Sequence, residues 1–281
     1  MASHRKPDGH RAITAHHNMY IIKVGGGSKI NLEGVVADLA TLEEPYVVVL
    51  GANALRDDLA ERIGHQKIQL TSVSGYTSVY SDAEAVDLIM MAYSGLKNRR
   101  FVELSQRHNI NAIGLSGLDG RLIQGERNRG IRVREGGKTL IKRDLSGKPR
   151  SVNGTLLEML ITQGYRPVLS IPIIDEQGYA INSENDDIVS ILQETLQADR
   201  IVQLIEAPGF LDNLDDPDSV VNLISANELK DREEQVKGRM KRKMLALRQL
   251  FDGGAKEVII ADGRTEHPVR DALAGKGTII Q

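Results

Sequence analysis

Short apolar runs alternate with amphipathic stretches along most of the chain. The runs Met19–Val24, Tyr46–Leu50, Ala112–Leu115, Val168–Ile174, Ile201–Leu204 and Val258–Ala261 are rich in Val and Ile, the composition of buried strands. Between them apolar residues recur at helical spacing. Leu32, Val35, Val36, Leu39 and Leu42 make one stripe, and Val86, Ile89, Met90, Tyr93 and Leu96 a second. Ile188, Ile191, Leu192 and Leu196 make a third, and Val236, Met240, Met244, Leu247 and Phe251 a fourth. Each predicts a helix with one buried face. Further helices are predicted over Leu55–Ile63, stopping at Gly64, and ahead of Gly164. Strands alternating with helices predict an α/β fold: a mostly parallel central sheet flanked by helices on both faces.

The punctuation between elements is more specific. Glycine-rich turns at 25–27, 51–54 and 116–120 each follow a predicted strand. In a parallel sheet they line one rim, the carboxyl ends of the strands, where ligands bind. The first turn, Gly25-Gly26-Gly27, is preceded by Lys23 and followed by a helix. Backbone N–H groups at a helix start favour an anion, and a lysine beside them strengthens a phosphate reading. Strand–glycine–helix turns are also common where nothing binds. The stretch is not a P-loop: Gly137-Lys138-Thr139 has the tail of that pattern, but position 132 is Arg. It is not Gly-x-Gly-x-x-Gly either.

Residues 68–82, rich in Ser, Thr, Gly and Tyr, read as a hairpin or loop, and residues 212–219 as an acidic surface loop. Over 121–150 the character changes. Ten Lys and Arg face three acids, a net of +7 in a chain of net charge −2. Ile131–Arg134 and Thr139–Ile141 flank Gly136-Gly137, a hairpin pattern with a basic face. That face is either plain solvated surface or a platform for an acidic partner. The segment has no aromatic residue, which argues against nucleic acid. The chain has 281 residues and no cysteine, which excludes disulfides and thiolate chemistry and fits a cytoplasmic protein. No run approaches the roughly 18 apolar residues of a membrane span. Residues 1–18 are polar, lack the apolar centre of a signal peptide, and read as a disordered lead-in. The internal boundary is expected near 175–180, dividing the chain into 19–178 and 179–281.

Several motifs together resemble the amino acid kinase family, and within it the N-acetylglutamate kinase group. They are Lys23-Val24-Gly25-Gly26, Ala112-Ile113-Gly114-Leu115-Ser116-Gly117-Leu118-Asp119-Gly120, Gly238-Arg239-Met240-Lys241-Arg242-Lys243, Ala261-Asp262-Gly263-Arg264 and Gly275-Lys276-Gly277-Thr278. The likeness leans toward the kinases of carrier-protein lysine biosynthesis, which phosphorylate α-aminoadipate attached to a small acidic carrier. It implies transfer of the ATP γ-phosphoryl group to a carboxylate, with Mg²⁺ bridging the nucleotide phosphates and no dedicated protein metal site. It implies catalytic roles for Lys23, Lys243 and Asp186, and phosphate contacts from Gly25, Gly26, Gly51 and Ala52. Asn182, Gly75 and the position of Val79 would face the acceptor. Glu206, Gly209 and Met240 would lie on the nucleotide side. Residues 19–178 would bind the acceptor and form a homodimer, and 179–281 would bind nucleotide. The extra N-terminal helix of arginine-inhibited hexamers has no counterpart in residues 1–18. Taken singly, Lys243 reads equally as a solvated helix lysine and Asp186 as a helix cap.

Two departures fall on the site. Where the family has His-Gly-Gly, this chain has Leu50-Gly51-Ala52. Where the family places an arginine for the acceptor α-carboxylate, this chain has Val79, and valine cannot make a bidentate carboxylate contact. The expectation is a working carboxylate kinase in lysine or arginine biosynthesis. Its acceptor would be carrier-linked α-aminoadipate or glutamate, held by a carrier at the basic segment. The rivals are plain N-acetylglutamate kinase and a weakly active nucleotide-binding homologue with a regulatory or partner-subunit role.

Overall fold

The structure, a computed structural model, describes residues 18–66, 68–73, 77–213, 216, 218–235 and 238–281; for Val79 and Met240 it describes the backbone alone. The expected lead-in, Asn18 excepted, and Gly75 lie outside the described residues. The chain opens with β1 (Tyr20–Val24), α1 (Leu32–Leu39), β2 (Tyr46–Leu50) and α2 (Asn53–Ile63), the last ending at Gly64 with φ 75°. A small antiparallel hairpin follows, β3 (Gln69–Thr71) and β4 (Thr77–Val79). Next comes one long helical stretch: α3 (Ala83–Ile89), a π-helical segment Met90–Lys97, and α4 (Asn98–Arg107). Then come β5 (Ala112–Ser116), β6 (Ile123–Arg127), the hairpin β7 (Ile131–Glu135) and β8 (Lys138–Lys142), β9 (Gly147–Val152), α5 (Gly154–Thr162), β10 (Arg166–Ser170), β11 (Ile173–Ile174) and β12 (Ala180–Ile181). The remainder runs α6 (Asn185–Leu196), β13 (Arg200–Ile205), β14 (Leu223–Ile224), α7 (Leu229–Gln235), α8 (Gly238–Asp252), β15 (Glu257–Asp262), α9 (Pro268–Leu273) and β16 (Thr278–Ile280).

The central sheet has the order β14-β16-β15-β13-β1-β2-β10-β5 and is parallel except at β15–β16. Thus β1 lies at its centre, between β13 and β2. Its strands are buried on both faces, which is why they read as continuous apolar runs rather than alternating ones. Side chains still alternate in direction. Tyr20, Ile22 and Val24 pack with Val35, Val36, Leu39, Phe101 and Val269 on one face. Ile21, Val47, Val49, Ile201, Val258 and Ile260 pack with Ile89, Ile188, Leu192, Met244 and Leu247 on the other. A second sheet, β12-β11-β6-β9, lies beside the first.

The structure departs from the sequence expectations at two instructive places. The apolar run Val168–Ile174 is two strands: β10 belongs to the central sheet and β11 to the second. Pro172 stands at the break, where it has no N–H for a ladder, and its carbonyl accepts from Gly117 N–H at 2.9 Å. Leu96, expected on the buried stripe, is 42% exposed. The π-helical turns of Met90–Lys97 close with i→i+5 bonds and rotate the stripe away from the core. The predicted basic hairpin is present. Ile131 pairs with Lys142 and Glu135 with Lys138, and Gly136 and Gly137 have φ 56° and 78°. Two positive φ values make the tight turn that two-residue hairpins prefer.

Candidate active site

Period-two alternation decides where Lys23 points. It shares a face with Ile21, the face covered by α6 and α8, and in register it lies between Gln203 of β13 and Val49 of β2. On α6, Asp186 stands one and two turns ahead of the buried Val189, Ser190 and Gln193. On α8, Lys243 is spaced at i, i+4 and i+7 with the buried Leu247 and Leu250. All three polar groups therefore stand near the ends of buried stripes and converge where the central strand ends. Lys23 Nζ is ion-paired with Asp186 Oδ1. Lys243 feels both of them. Burial first, then the charge of Lys23, lower its pKa to about 8, against an upward pull from Asp186. Two lysines and one carboxylate thus form a compact cationic site.

The glycine turns supply the backbone around it. Gly25 N–H donates to Leu204 O at 2.9 Å and Gly51 N–H to Val24 O at 2.8 Å. Those two N–H groups are committed to the sheet, so what Gly25 and Gly51 contribute is the lack of a side chain. A Cβ on Gly25 would lie 2.8 Å from Leu204 O, and one on Gly51 would lie 2.5 Å from Gly26 N. A Cβ on Gly26 would lie 2.6 Å from Asn53 N and 2.8 Å from Ala52 N. The amides of Gly26, Ala52 and Asn53 are therefore packed together at the start of α2, where a helix leaves its first N–H groups without intrahelical partners. Ala52 is only 1% exposed, and its methyl packs in the core beside Ile89 and Tyr93.

Beside the turns, a narrow cleft is lined by Arg56, Asp57, Ala60, His65, Tyr80, Ser81, Leu88 and Asn182 among others. Asn182 Nδ2 donates to Ser81 Oγ at 3.0 Å. Asp144, buried at 3% exposure, accepts from Ser81 N–H and from Ser146 N–H and Oγ. Leu145 N–H donates to Ser81 O and Asn182 N–H to Leu145 O. These bonds tie the cleft wall to the base of the β7–β8 hairpin. Tyr93 OH donates to Asn53 Oδ1, and burial pushes this phenol up to about 12, so it is a neutral donor. Asn185 Nδ2 donates to Leu50 O at 3.3 Å and holds the start of α6 against the end of β2. Sequence reasoning missed Asn53, Arg56, Ser81, Tyr93 and Asn185. For Asn53 and Asn185 a signal existed, since one ends the second small-residue turn and the other adjoins Asp186.

The remaining expected site residues are more dispersed. Glu206 packs its carboxylate against Gly27 and accepts from Lys29 N–H at 2.6 Å, closing the first glycine turn. Gly209 packs against Thr278, whose Oγ1 accepts from Phe210 N–H at 2.7 Å. Both positions follow β13, on the α8 side of β1. Met240 lies in α8, and Val79 pairs with Gln69 in the small hairpin.

The sequence profile of the amino acid kinase family matches residues 18–262. The chain belongs to the amino acid kinase family. It is 39% identical to the [LysW]-aminoadipate kinase of Thermus thermophilus, over 94% of this chain and 100% of that protein. It is 37% identical to the [LysW]-aminoadipate kinase of Deinococcus radiodurans, over 94% and 91%. It is 32% identical to the acetylglutamate kinase of Methanopyrus kandleri, over 94% and 100%. Among solved structures, the fold is similar to carbamate kinase from Giardia, with a TM-score of 0.62 at 15% identity over 94% of this chain and 98% of that one. It is also similar to N-acetylglutamate synthase from Neisseria gonorrhoeae, with a TM-score of 0.76 at 18% identity over 95% and 60%. With named kinases matched over nearly their whole length, the chain is a phosphotransferase. Among the described residues, no helix is long and apolar enough to cross a membrane.

Proposed function

We propose that this amino acid kinase transfers the γ-phosphoryl group of ATP to the side-chain carboxylate of an acidic amino acid whose amino group is blocked. Its preferred acceptor is α-aminoadipate or glutamate joined to a small acidic carrier protein. The observation that carries the reading is the Lys23–Asp186–Lys243 cluster, standing in a chain similar over 94% of its length to proteins named [LysW]-aminoadipate kinase.

The chemistry follows from that cluster. A carboxylate oxygen attacks the γ-phosphorus, an O–P bond forms, and the bond to the bridging oxygen breaks with its electron pair leaving on ADP. The acceptor is already ionised at neutral pH, so no general base is required. The barrier is the approach of two anions and the charge on the transferring group, which positioned cations and amides offset. Lys23 and Lys243 supply the charge, and the amides of Gly26 and Asn53 supply fixed donors. Asp186 holds Lys23 in place rather than moving a proton. Among the described residues no three His, Asp or Glu side chains are grouped to hold a metal. Mg²⁺ bound with the nucleotide would supply further neutralisation of phosphate charge. Residues 19–178 supply Lys23 and most of the cleft, and 179–281 supply its Asn182 together with Asp186 and Lys243.

The pKa of Lys243 makes the reading testable by pH. Below about 8 the lysine carries its charge, and above it the charge is lost. In the free enzyme kcat/KM for ATP should therefore fall on the alkaline side, with an inflection near 8. Lys243→Arg, whose charge does not titrate, should keep part of the activity and lose the inflection. A wild-type profile flat to pH 9.5 would remove Lys243 from the site.

The hairpin supports a carrier. Of the three acids in 121–150, Glu126 pairs with Arg150, Glu135 pairs with Lys142, and Asp144 is buried. Arg129, Arg132, Arg134, Lys138 and Arg143 remain exposed beside the exposed Ile141, which is 62% exposed. Because the hairpin base is tied to Ser81 and Asn182, a protein docked there presents its cargo to the cleft. The test is acyl phosphate formation trapped with hydroxylamine. The panel is N-acetylglutamate, N-acetyl-α-aminoadipate, and either amino acid loaded on an acidic carrier. Arg132→Glu with Arg134→Glu should lower kcat/KM for the loaded carrier by at least about tenfold relative to the N-acetyl acceptors, with a strong salt dependence. Equal losses for both kinds of acceptor would sink the carrier reading. ATP binding without product from any acceptor would sink the kinase reading.

A further inference from the structure

We propose that Arg56 is the group that grips the α-carboxylate of the acceptor. This rests on the carboxylate-kinase reading and names a specificity residue for it. A blocked α-amino acid brings two carboxylates. One reacts, and the other is a permanent anion that a selective site must recognise. The position where the family resemblance places an arginine for that anion is Val79, so this chain needs a cation from elsewhere.

Arg56 meets the requirements one by one. It stands in the first turn of α2, three residues after Asn53, whose amide belongs to the phosphate-binding cluster. It lines the cleft together with Asn182, whose Nδ2 donates to Ser81 Oγ, and Ser81, whose backbone N–H is held by Asp144. Its side chain is 14% exposed, so a contact made there is poorly screened. The rest of the lining includes the apolar side chains of Ala60, Ala85, Leu88 and Ile89, which keep water from the contact. The cleft has about 20 Å³ of free space for water-sized groups, which is room for a small terminal group and not for a whole amino acid.

The guanidinium is also available. Its hydrogen bonds among the described residues run from Nε and Nη2 to Asp57 Oδ1, at 3.0 and 2.7 Å. That leaves Nη1 and the outer edge of the fork for a second carboxylate. Asp57 is 44% exposed, and an ion pair with a partner so open to water is worth little and is readily exchanged. Among the described residues that line the cleft, the other basic one is His65; its Nδ1 lies 3.1 Å from Glu84 Oε2, and it carries a full charge only when protonated. Arg56 is charged at every working pH.

The experiment compares N-acetyl-α-aminoadipate with its α-amide, which keeps the reacting carboxylate and loses the other. Equilibrium binding to the full chain is measured by calorimetry, without ATP, alongside steady-state kinetics. In the wild-type chain the α-amide should bind about 10–100-fold more weakly, the worth of one charge-assisted bidentate contact. In Arg56→Met the two compounds should bind within about twofold of each other. KM for the acceptor should rise by that same 10–100-fold while KM for ATP stays put. Arg56→Lys should recover part of the discrimination, which a merely structural role would not allow. Equal binding of acid and amide to the wild-type chain overturns the proposal without any variant, and so does discrimination that survives in Arg56→Met. If the wild-type chain binds the acid over the amide yet forms no acyl phosphate, the kinase reading fails and the role of Arg56 in binding stands. If it binds neither compound at millimolar concentration, the Arg56 proposal fails.

Discussion

Lys23→Met is expected to lower the rate of acyl phosphate formation by about a thousandfold or more, the scale of losing a preorganised charge at a developing anion. Methionine has nearly the length of lysine, and the side chain is 16% exposed, so the fold should tolerate the exchange. The loss falls on transfer rather than on architecture. Asp186 loses its ion pair with Lys23, and Lys243 loses a cationic neighbour that now lowers its pKa. The residual activity should therefore carry a second signature, an alkaline inflection displaced above the wild-type value near 8. Hydroxylamine-trapped rates across pH 6.5–10 read both effects. A loss below about tenfold, or an inflection that stays where it was, would mean that Lys23 is only a structural partner of Asp186.

Gly26→Ala is expected to cost at least about a hundredfold in kcat/KM for ATP and to lower the melting temperature by about a few degrees. The added Cβ would stand 2.6 Å from Asn53 N and 2.8 Å from Ala52 N. Both are backbone atoms at the start of a helix and cannot rotate away, so the two glycine turns must separate. Overpacking of this kind costs about 1–3 kcal/mol, and it spreads the amides whose spacing serves the phosphates. Ala52→Gly is the informative companion. Its methyl points into the core, so removing it should change stability slightly and activity little. Thermal melts and nucleotide kinetics on the two variants check the pair. Near-wild-type activity in Gly26→Ala would remove the glycine cradle from the site.

Much of this site was legible because its parts stand where strands end. The triple glycine after Tyr20–Val24 and the lysine inside that strand marked the rim, and both lie on the central strand of the sheet. The basic hairpin was legible to its two-glycine turn, since two successive positive φ values leave few other residues to choose. Leu96 and the run Val168–Ile174 were misread for one shared reason. Periodicity describes a regular element, and a π-helical segment or a strand that changes sheets keeps its apolar composition while altering its direction. The two alanine and valine departures also looked alike in the sequence. Only the packing separated them: Ala52 turns its methyl into the core, so its presence leaves the amide cluster intact.

By itself the sequence determined the α/β class, the parallel order implied by alternating strands and helices, the glycine-turn rim at the strand ends, the basic hairpin and membership of the amino acid kinase family. These follow from local rules of period, turn chemistry and motif, each read within a dozen residues. The tertiary structure decided which polar groups meet. Lys23 and Asp186 are 163 positions apart, and no local rule states that they pair. Their meeting depends on strand alternation, the face that α6 covers and the register of three strands at once. The same holds for Arg56 and Asn182, which line one cleft only because α2, α3 with the residues just ahead of it, and the segment ahead of α6 come together. Local physics sets what each segment becomes, and long-range packing sets which side chains share a site.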